Sequence, residues 1–406
     1  MSVKPNQPAR YREPVPAAIW VMVVASFVIA IGYGLVAPVL PLYAKSFNVT
    51  TTAATVVVSI FAVFRMVFAP ASGVLVNRLG ERPVYIAGVV IVALSSLAVA
   101  TAHSYWQLII YRGLGGIGSV MFTVSAAALI IRLSPPGIRG RISSYYGGAF
   151  LLGNITGPVL GGVLANIAIW LPFVAYGVAL LSAACVVGFF LSAARMHSAG
   201  PRRELPPMTM RTALQQPAAR SALGSFFANG WTNLGVRISI VPLFAATLSS
   251  EVWVSGAALT AFALGNAAIV LFAGSLTDRI GRKTPIIMGL GISGALTIAI
   301  GFSDVVPIFI LLCALAGLGA GILNPAQQAA VADIIGADHA GGKVVASFQM
   351  IMDLGAIIGP LLIGLLVDYG SYPLAFSVSG LILVLAAFGW LPAPETAPKR
   401  TWPETA

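Results

Sequence analysis

Apolar stretches separated by short polar loops follow one another along the whole 406-residue chain. Each stretch has about 20 residues, enough for a helix to cross a hydrocarbon core of about 30 Å. Lipid offers the backbone no hydrogen-bond partners, so helices are expected, and the stretches lack the short alternation of a membrane β-barrel. The pattern predicts twelve membrane spans, at residues 17–43, 52–76, 84–101, 106–131, 142–167, 170–194, 220–247, 253–277, 285–302, 306–332, 344–367 and 372–391.

The predicted spans divide into two sets of six. Between the sets lies a polar segment, 195–219, which contains four arginines and several prolines. A shift of 201 residues carries Gly73 onto Gly274, together with the loop that each of them begins. This self-similarity indicates one unit of roughly 200 residues written twice. The expected fold is an all-α polytopic membrane protein with two pseudo-symmetric six-helix bundles, residues 1–194 and 220–406, joined by a linker at 195–219.

Charge supports a membrane protein and orients it. Only 9% of the residues are charged, whereas a soluble domain carries about 25%. The net charge of +11 follows from topology rather than from a nucleic-acid partner, because 19 of the 23 basic residues fall on one side of the predicted spans and the opposite loops hold only Lys45. The positive-inside rule then predicts that both termini are cytoplasmic in a bacterial inner membrane.

Metal and cofactor chemistry leave no signature in the sequence. The two cysteines, Cys185 and Cys313, lie in apolar stretches and are expected to be packing residues rather than a disulfide. The three histidines are not spaced as metal ligands, and neither a Walker loop nor a nucleophile motif is present. We therefore expect no cofactor, no bound metal and no enzymatic activity.

The doubled loop contains glycines and basic residues that suit a tight turn on the cytoplasmic side. In its second copy Asp278 is placed to cap a helix or to pair with Arg279 or Arg282. With these residues the chain resembles the major facilitator superfamily, whose signature loop G-x-L-x-D-R-x-G-R-K/R joins spans 2 and 3 and, after duplication, spans 8 and 9. The resemblance implies that the loop helps to latch the two halves, although Asn77 replaces the acid and Glu81 replaces a base in the first copy. The latch candidates are Gly73, Asn77, Arg78, Gly80, Gly274, Asp278, Arg279, Gly281 and Arg282.

Predicted span 5 carries small residues at four-residue spacing, which lets a neighbouring helix pack closely. Ordinary tight packing would explain them. The run is also similar to the G-x-x-x-G-P-x-x-G-G motif of the proton-coupled antiporter branch of the superfamily, and this similarity implies export rather than uptake. The residues of the motif are Gly153, Gly157, Pro158, Gly161 and Gly162.

Charged side chains inside spans are costly and usually face a partner or a wet cavity. Arg112 lies close enough to its span end to extend toward the interface, but the resemblance links an arginine at this position, followed by glycines, to proton handling. Asp353 is the one acid at membrane depth, and Arg65 or Arg237 could pair with it. A static ion pair is one hypothesis, and the other is that Asp353 takes up and releases a proton, with its basic neighbour setting its pKa.

The family fold would place spans 1, 4, 7 and 10 around a central cavity. Polar and aromatic residues of these spans are then candidates for binding substrate, with helix packing as the alternative. Those residues are Tyr33, Phe122, Trp231, Asn233, Asn324, Gln327 and Gln328.

Together these features predict a monomeric secondary transporter in the lipid bilayer that exports small amphipathic compounds in exchange for protons. Export or import of a specific metabolite, such as a sugar or amino acid, is an alternative within transport. A membrane sensor without flux is a different class. Intramembrane hydrolysis is disfavoured because the sequence shows no paired acids or metal motif at membrane depth.

Overall fold

The computed structural model describes residues 15–133, 139–190, 206, 208–336, 339 and 342–397, apart from the side chains of residues 131, 132, 139, 140, 143, 271, 275 and 278. Its regular structure within these ranges is helical, and twelve segments are long and apolar enough to cross a membrane. They confirm the twelve predicted spans with closely matching ends and are called spans 1 to 12. Their helices are Ala17–Val36 with Leu40–Lys45, Thr51–Leu79, Glu81–Ala100, Tyr105–Leu133, Arg139–Ile167, Leu171–Phe190, Pro217–Asn229 with Gly230–Val236 and Arg237–Leu248, Trp253–Ile280, Lys283–Ile300, Val306–Ile335, Gly342–Tyr369 and Tyr372–Trp390.

Two spans are interrupted where proline or glycine weakens the helical ladder. Span 1 breaks after Val36 and resumes at Leu40, around Pro38. In span 7, Gly230–Val236 forms a π-helix, in which the N–H of Arg237 bonds five residues back to Thr232. Such π segments are uncommon and are often found at functional sites.

The two sets of six spans pack in the same way. In the first set span 1 packs against spans 5 and 6, span 4 against spans 2 and 3, and span 3 against span 6. The equivalent pairs, six spans later, pack together in the second set. The fold is therefore two pseudo-symmetric six-helix bundles, as the doubled sequence predicted.

The glycines of span 5 allow its backbone to approach that of span 1. A Cβ on Gly157 would lie closer than 3.0 Å to backbone atoms of Ile31 and Gly34. Gly153 and Gly161 pack in the same way against span 1, whereas Gly162 meets Trp253 of span 8 in the other half. The motif thus joins two spans within a bundle and also reaches across the bundle interface.

The two halves contact each other near one end of the spans. The end that carries the loops beginning at Gly73 and Gly274 is called the basic end. Between the described residues, every hydrogen bond that joins the halves lies in the part of the spans toward the opposite end. These bonds link Asp368 to Thr51 and Thr52, Ser59 to Ile357, Asn166 to Glu251 and Val252, and Thr260 to Ile155.

At the basic end, an added Cβ on Gly73, Gly147, Gly148 or Gly274 would meet nothing within 4 Å. The hydrogen bonds that join the halves in the described part of the chain are thus confined to the side of the opposite end.

Candidate functional site

Arg65 and Asp353 lie on opposite halves, beyond the last hydrogen bond between spans 2 and 11. That bond runs from Ser59 to the carbonyl of Ile357, at 2.9 Å. Toward the basic end, Asp353 comes one turn after Ile357, and Arg65 is about 9 Å along its helix from Ser59. Both charges therefore lie on the basic side of this bond, one on each half.

The structure keeps the two charges near each other without an ion pair. Arg65 donates to the Ser119 hydroxyl of span 4 at 2.6 Å. Asp353 accepts a hydrogen bond from Gln349, one turn earlier in its own span, at 3.2 Å. Arg65 and Asp353 interact electrostatically across the boundary between the halves. The pairing of Arg237 with Asp353 is not formed, because Arg237 contacts Asn233 and Phe262 instead.

Arg112 of span 4 lies nearer the opposite end than Arg65 and is surrounded by residues of spans 1, 2 and 6. It is buried, with 7% of its surface exposed, so the alternative of a side chain extended to the interface is wrong. Its guanidinium carbon lies 4.4 Å from the centroid of the Phe61 ring, a cation–π contact. Its Nε is fully buried and has no hydrogen-bond partner in the described part of the chain. Tyr33 and Tyr176 are its electrostatic neighbours.

The second half carries a chain of amides along span 7. Arg237 donates to Asn233, which donates to Asn229, at 2.9 and 2.8 Å. The Asn229 amide in turn bonds Asn324 and Gln327 of span 10, both at 2.9 Å. The sequence reasoning missed Asn229, although its four-residue spacing from Asn233 and Arg237 was a usable signal. The chain ties span 7 to span 10 across the π-helix.

The remaining cavity candidates have different surroundings. Trp231 is buried and donates to the Ser379 hydroxyl at 3.4 Å, which places it between spans 7 and 12. Phe122 packs edge-on against Tyr85 of span 3, with ring centroids 6.3 Å apart. Tyr33 is partly buried beside Arg112, and Gln328 is exposed. No group of three or more His, Cys, Asp or Glu residues that could hold a metal occurs in the described ranges.

The doubled loop has a similar turn in both halves. Gly80 and Gly281 take positive φ values, 87° and 90°, which glycine adopts without strain. Arg282 forms an ion pair with Asp333 at the end of span 10, at 3.0 Å. Asn77, Arg78 and Arg279 are exposed, and the side chain of Asp278 lies outside the described part of the structure.

Glu395, beyond span 12, holds the second copy of the loop in place. Its carboxylate accepts from the backbone N–H groups of Arg282, at 2.7 Å, and Lys283, at 3.1 Å, at the start of span 9. Partial burial raises the pKa of Glu395, but hydrogen bonds from Ala397, Arg282, Lys283 and Thr396 outweigh it and hold the pKa below its usual value. The site as a whole combines charges at membrane depth near the boundary between the halves with ordered loops at the basic end.

Comparison with known proteins agrees with this architecture. The family model of the Major Facilitator Superfamily matches residues 22–253 and 223–406. The class H tetracycline resistance protein of Pasteurella multocida is 29% identical over 362 residues, 84% of this chain and 86% of the relative. The quinolone resistance protein NorA of Staphylococcus aureus (strain Mu50 / ATCC 700699) is 29% identical over 179 residues, 44% of this chain and 45% of NorA.

Solved structures share the fold. A bacterial homolog of the human lysosomal transporter Spinster, in its inward-facing and unoccupied conformation, superimposes with a TM-score of 0.77 at 16% identity, covering 92% of this chain and 95% of that one. The human organic anion transporter MFSD10 (TETRAN) gives a TM-score of 0.63 at 19% identity, covering 92% of this chain and all of that one. Because the family model spans both halves, the chain belongs to the Major Facilitator Superfamily, a family of membrane transporters rather than enzymes.

Proposed function

We propose that this transporter exports small amphipathic compounds from the cytoplasm in exchange for protons, by alternating access. The observation that carries the proposal is the place of Asp353 and Arg65, on opposite halves just beyond the last hydrogen bond between spans 2 and 11. The proposed substrate cavity opens from this point toward the basic end. The drug-resistance names of two relatives support export of small molecules.

The open end of the cavity is assigned to the cytoplasm by charge. The loops at the basic end contain most of the arginines and lysines of the chain, and such loops remain cytoplasmic during insertion. Both termini and the linker at 195–219, part of which lies outside the described residues, are then cytoplasmic, and the proposed cavity opens toward the cytoplasm. One chain contains both halves of the cavity, so a monomer suffices for transport.

Proton coupling follows from the electrostatics of Asp353 and Arg65. Ionised Asp353 attracts Arg65, which Ser119 holds in the first half, so the charge pair draws the two halves together. A proton on Asp353 removes that attraction and lowers the cost of separating spans 2 and 11. The carboxyl group thus links proton uptake to reorientation of the halves.

In the outward-open state the basic end closes, and the doubled loop is proposed to latch it. The second copy has the acid, Asp278, where the first copy has Asn77. Asp278→Ala should therefore impair transport more than Asn77→Ala in the same vesicle assay. Equal effects would mean that both copies act only as turns.

Everted membrane vesicles test the proposal. In vesicles with an acidic interior, tetracycline or a quinolone should cause proton release that depends on the transporter. Asp353→Asn should abolish this release while exchange of labelled compound for unlabelled compound continues. The matched control is Asp304→Asn, an exposed acid in the loop before span 10, which should behave like the native protein. Proton-driven transport that survives in the Asp353→Asn variant would refute the proposed coupling.

A further inference from the structure

Charge at membrane depth is strongly unbalanced in this protein. More than one helical turn from the span ends lie three arginines, Arg65, Arg112 and Arg237, against one carboxylate, Asp353. Two of the arginines have local partners, since Arg65 bonds Ser119 and Arg237 bonds Asn233. Arg112 has no hydrogen-bond partner among the described residues, so its surroundings indicate which kind of group could bind it.

The guanidinium of Arg112 donates no hydrogen bond to any residue that the structure describes, and its Nε is fully buried. Burial of an unpaired guanidinium is costly, and native proteins rarely leave such a group without an acceptor. Phe61 covers one face of the group but accepts no hydrogen bond from its N–H edge. Only the Nε is a buried orphan, and the two terminal nitrogens remain accessible, so the N–H edge is free to bind an acceptor that enters from outside the described side chains.

Two tyrosines on neighbouring spans add hydroxyl groups around Arg112. Tyr33 of span 1 and Tyr176 of span 6 interact electrostatically with Arg112, with each other and with Arg65. Neither tyrosine hydroxyl forms a hydrogen bond within the described residues, and Tyr176 is fixed against the backbone of span 1 at Gly32. Arg112, Tyr33 and Tyr176 are called the donor cluster. They present one guanidinium and two hydroxyls, and no carboxylate among the described side chains interacts with Arg112.

We propose that the transported compounds are amphipathic organic anions whose carboxylate, or an equivalent anionic group, binds to the donor cluster. The inference deepens the export function proposed above and rests on it for the role of the bound compound. A planar carboxylate matches the N–H edge of a guanidinium and can accept from both hydroxyls. The aromatic rings of Phe61, Tyr33 and Tyr176 would contact the apolar body of the compound.

Asp353 has a separate role in this arrangement. It interacts electrostatically with Arg65 and not with Arg112. When Asp353 is ionised, its charge repels an anion. The anion site therefore does not need Asp353, and loss of its charge should preserve or strengthen anion binding. This separates the cargo site from the proton site within one cavity.

Binding of matched probes to the purified full-length protein in nanodiscs tests the proposal. Each pair consists of an amphipathic acid and its neutral amide with the same body, such as dansylglycine and dansylglycinamide, in a panel of several bodies. The native protein should bind the acids at least about tenfold more tightly, as expected for hydrogen bonds to a charged group. Arg112→Gln should remove the preference, and Arg112→Lys should retain part of it.

Further variants keep the test independent of folding defects. Tyr33→Phe and Tyr176→Phe retain the rings and should each reduce the acid preference several-fold. Arg141→Gln, which removes an exposed arginine at the basic end, should leave it unchanged. Equal affinity for acids and amides, binding of none of the acids, or an unchanged preference in Arg112→Gln would each overturn the proposal. Binding needs no proton gradient, so failure of proton-driven export with an intact acid preference would refute the proposed function alone.

Discussion

Single glycines determine how closely the helices of each half approach. Gly157 and Gly148 both lie in span 5, but their surroundings differ. An added Cβ on Gly157 would overlap the backbone of span 1, whereas one on Gly148 would meet nothing within 4 Å. Backbone atoms move only with their whole helix, so the overlap at Gly157 cannot be relieved by a change of rotamer.

Gly157→Ala is therefore expected to destabilise the first bundle, at a cost of about 1–3 kcal/mol typical of overpacking. Thermal denaturation of the purified protein in detergent should show a clearly lower midpoint for Gly157→Ala than for the native chain. Gly148→Ala is the matched control and should denature at or above the native midpoint, because alanine also favours the helix. Equal midpoints for the two variants would show that spans 1 and 5 are not packed backbone to backbone.

Residue types in the sequence identified the charges at membrane depth but not their partners. Asp353, Arg65, Arg112 and Arg237 were evident because a charge inside an apolar run is costly. Their contacts depend on helix rotation, which places Ser119 rather than Asp353 within 2.6 Å of Arg65. Tyr176 was missed because a tyrosine in an apolar span carries no distinctive signal.

At the scale of elements, the doubled loop differs in charge between its copies. The ion pair of Arg282 with Asp333 joins the start of span 9 to the end of span 10. The 201-residue shift places Glu81 and Arg132 at the equivalent sequence positions, so the signs of the two charges are exchanged in the first half. Glu81 was noted as a departure from the family pattern, and comparison with the second half shows that the departure is a reversal of sign.

Asp333→Asn should weaken the packing of spans 9 and 10. The two charged side chains are 14% and 18% exposed, so the pair is less screened than a surface ion pair, and its loss should cost on the order of 1 kcal/mol or more. A lower midpoint in thermal denaturation is the expected result. Asp304→Asn, the exposed control, should leave the midpoint unchanged, and a similar decrease in both variants would show that the ion pair is not responsible.

Glu395 should make the stability of the second half depend on pH. Its pKa is lower in the folded protein than its usual value of about 4.3, so its hydrogen bonds to the start of span 9 stabilise the fold above that value. This contribution should disappear as the pH falls through the lowered pKa. Glu395→Gln should reduce the denaturation midpoint at pH 7 and reduce its dependence on pH below about 5. A midpoint that falls with acid as steeply as in the native protein would contradict this role.

At the scale of the whole molecule, the sequence determined the twelve spans and their pairing by repeat, but not the conformation. Which end is closed depends on contacts between residues that are about 300 positions apart, such as Ser59 with Ile357. No periodicity in the sequence records these contacts, because they join residues far apart along the chain. Asp368 illustrates the point, because its position at a span end gave no indication that it binds the other half.

Asp368 is the strongest hydrogen-bonded link between the halves at the opposite end. Its carboxylate accepts from the N–H groups of Thr51 and Thr52, both at 2.7 Å, and from the Thr52 hydroxyl at 2.6 Å. These N–H groups belong to the first turn of span 2, where the helix has no acceptors of its own and its dipole favours a negative charge. When the opposite end is closed, the carboxylate of Asp368 in span 11 therefore accepts hydrogen bonds from the N–H groups at the start of span 2.

Asp368→Asn is therefore expected to shift the protein toward the outward-open state. The amide retains one acceptor and loses the charge, a loss of about 1.5–3 kcal/mol from hydrogen bonds to a charged group, which corresponds to about tenfold or more in the ratio of the two states. Spin labels on cysteines at Thr101 and Asp304, in exposed loops of the two halves at the opposite end, should report a longer-distance population in this variant. Glu251→Gln, which alters a single 3.3 Å hydrogen bond between the halves, should cause a smaller change. An unchanged distance distribution in Asp368→Asn would mean that helix packing between spans 2 and 11, rather than the carboxylate, keeps the opposite end closed.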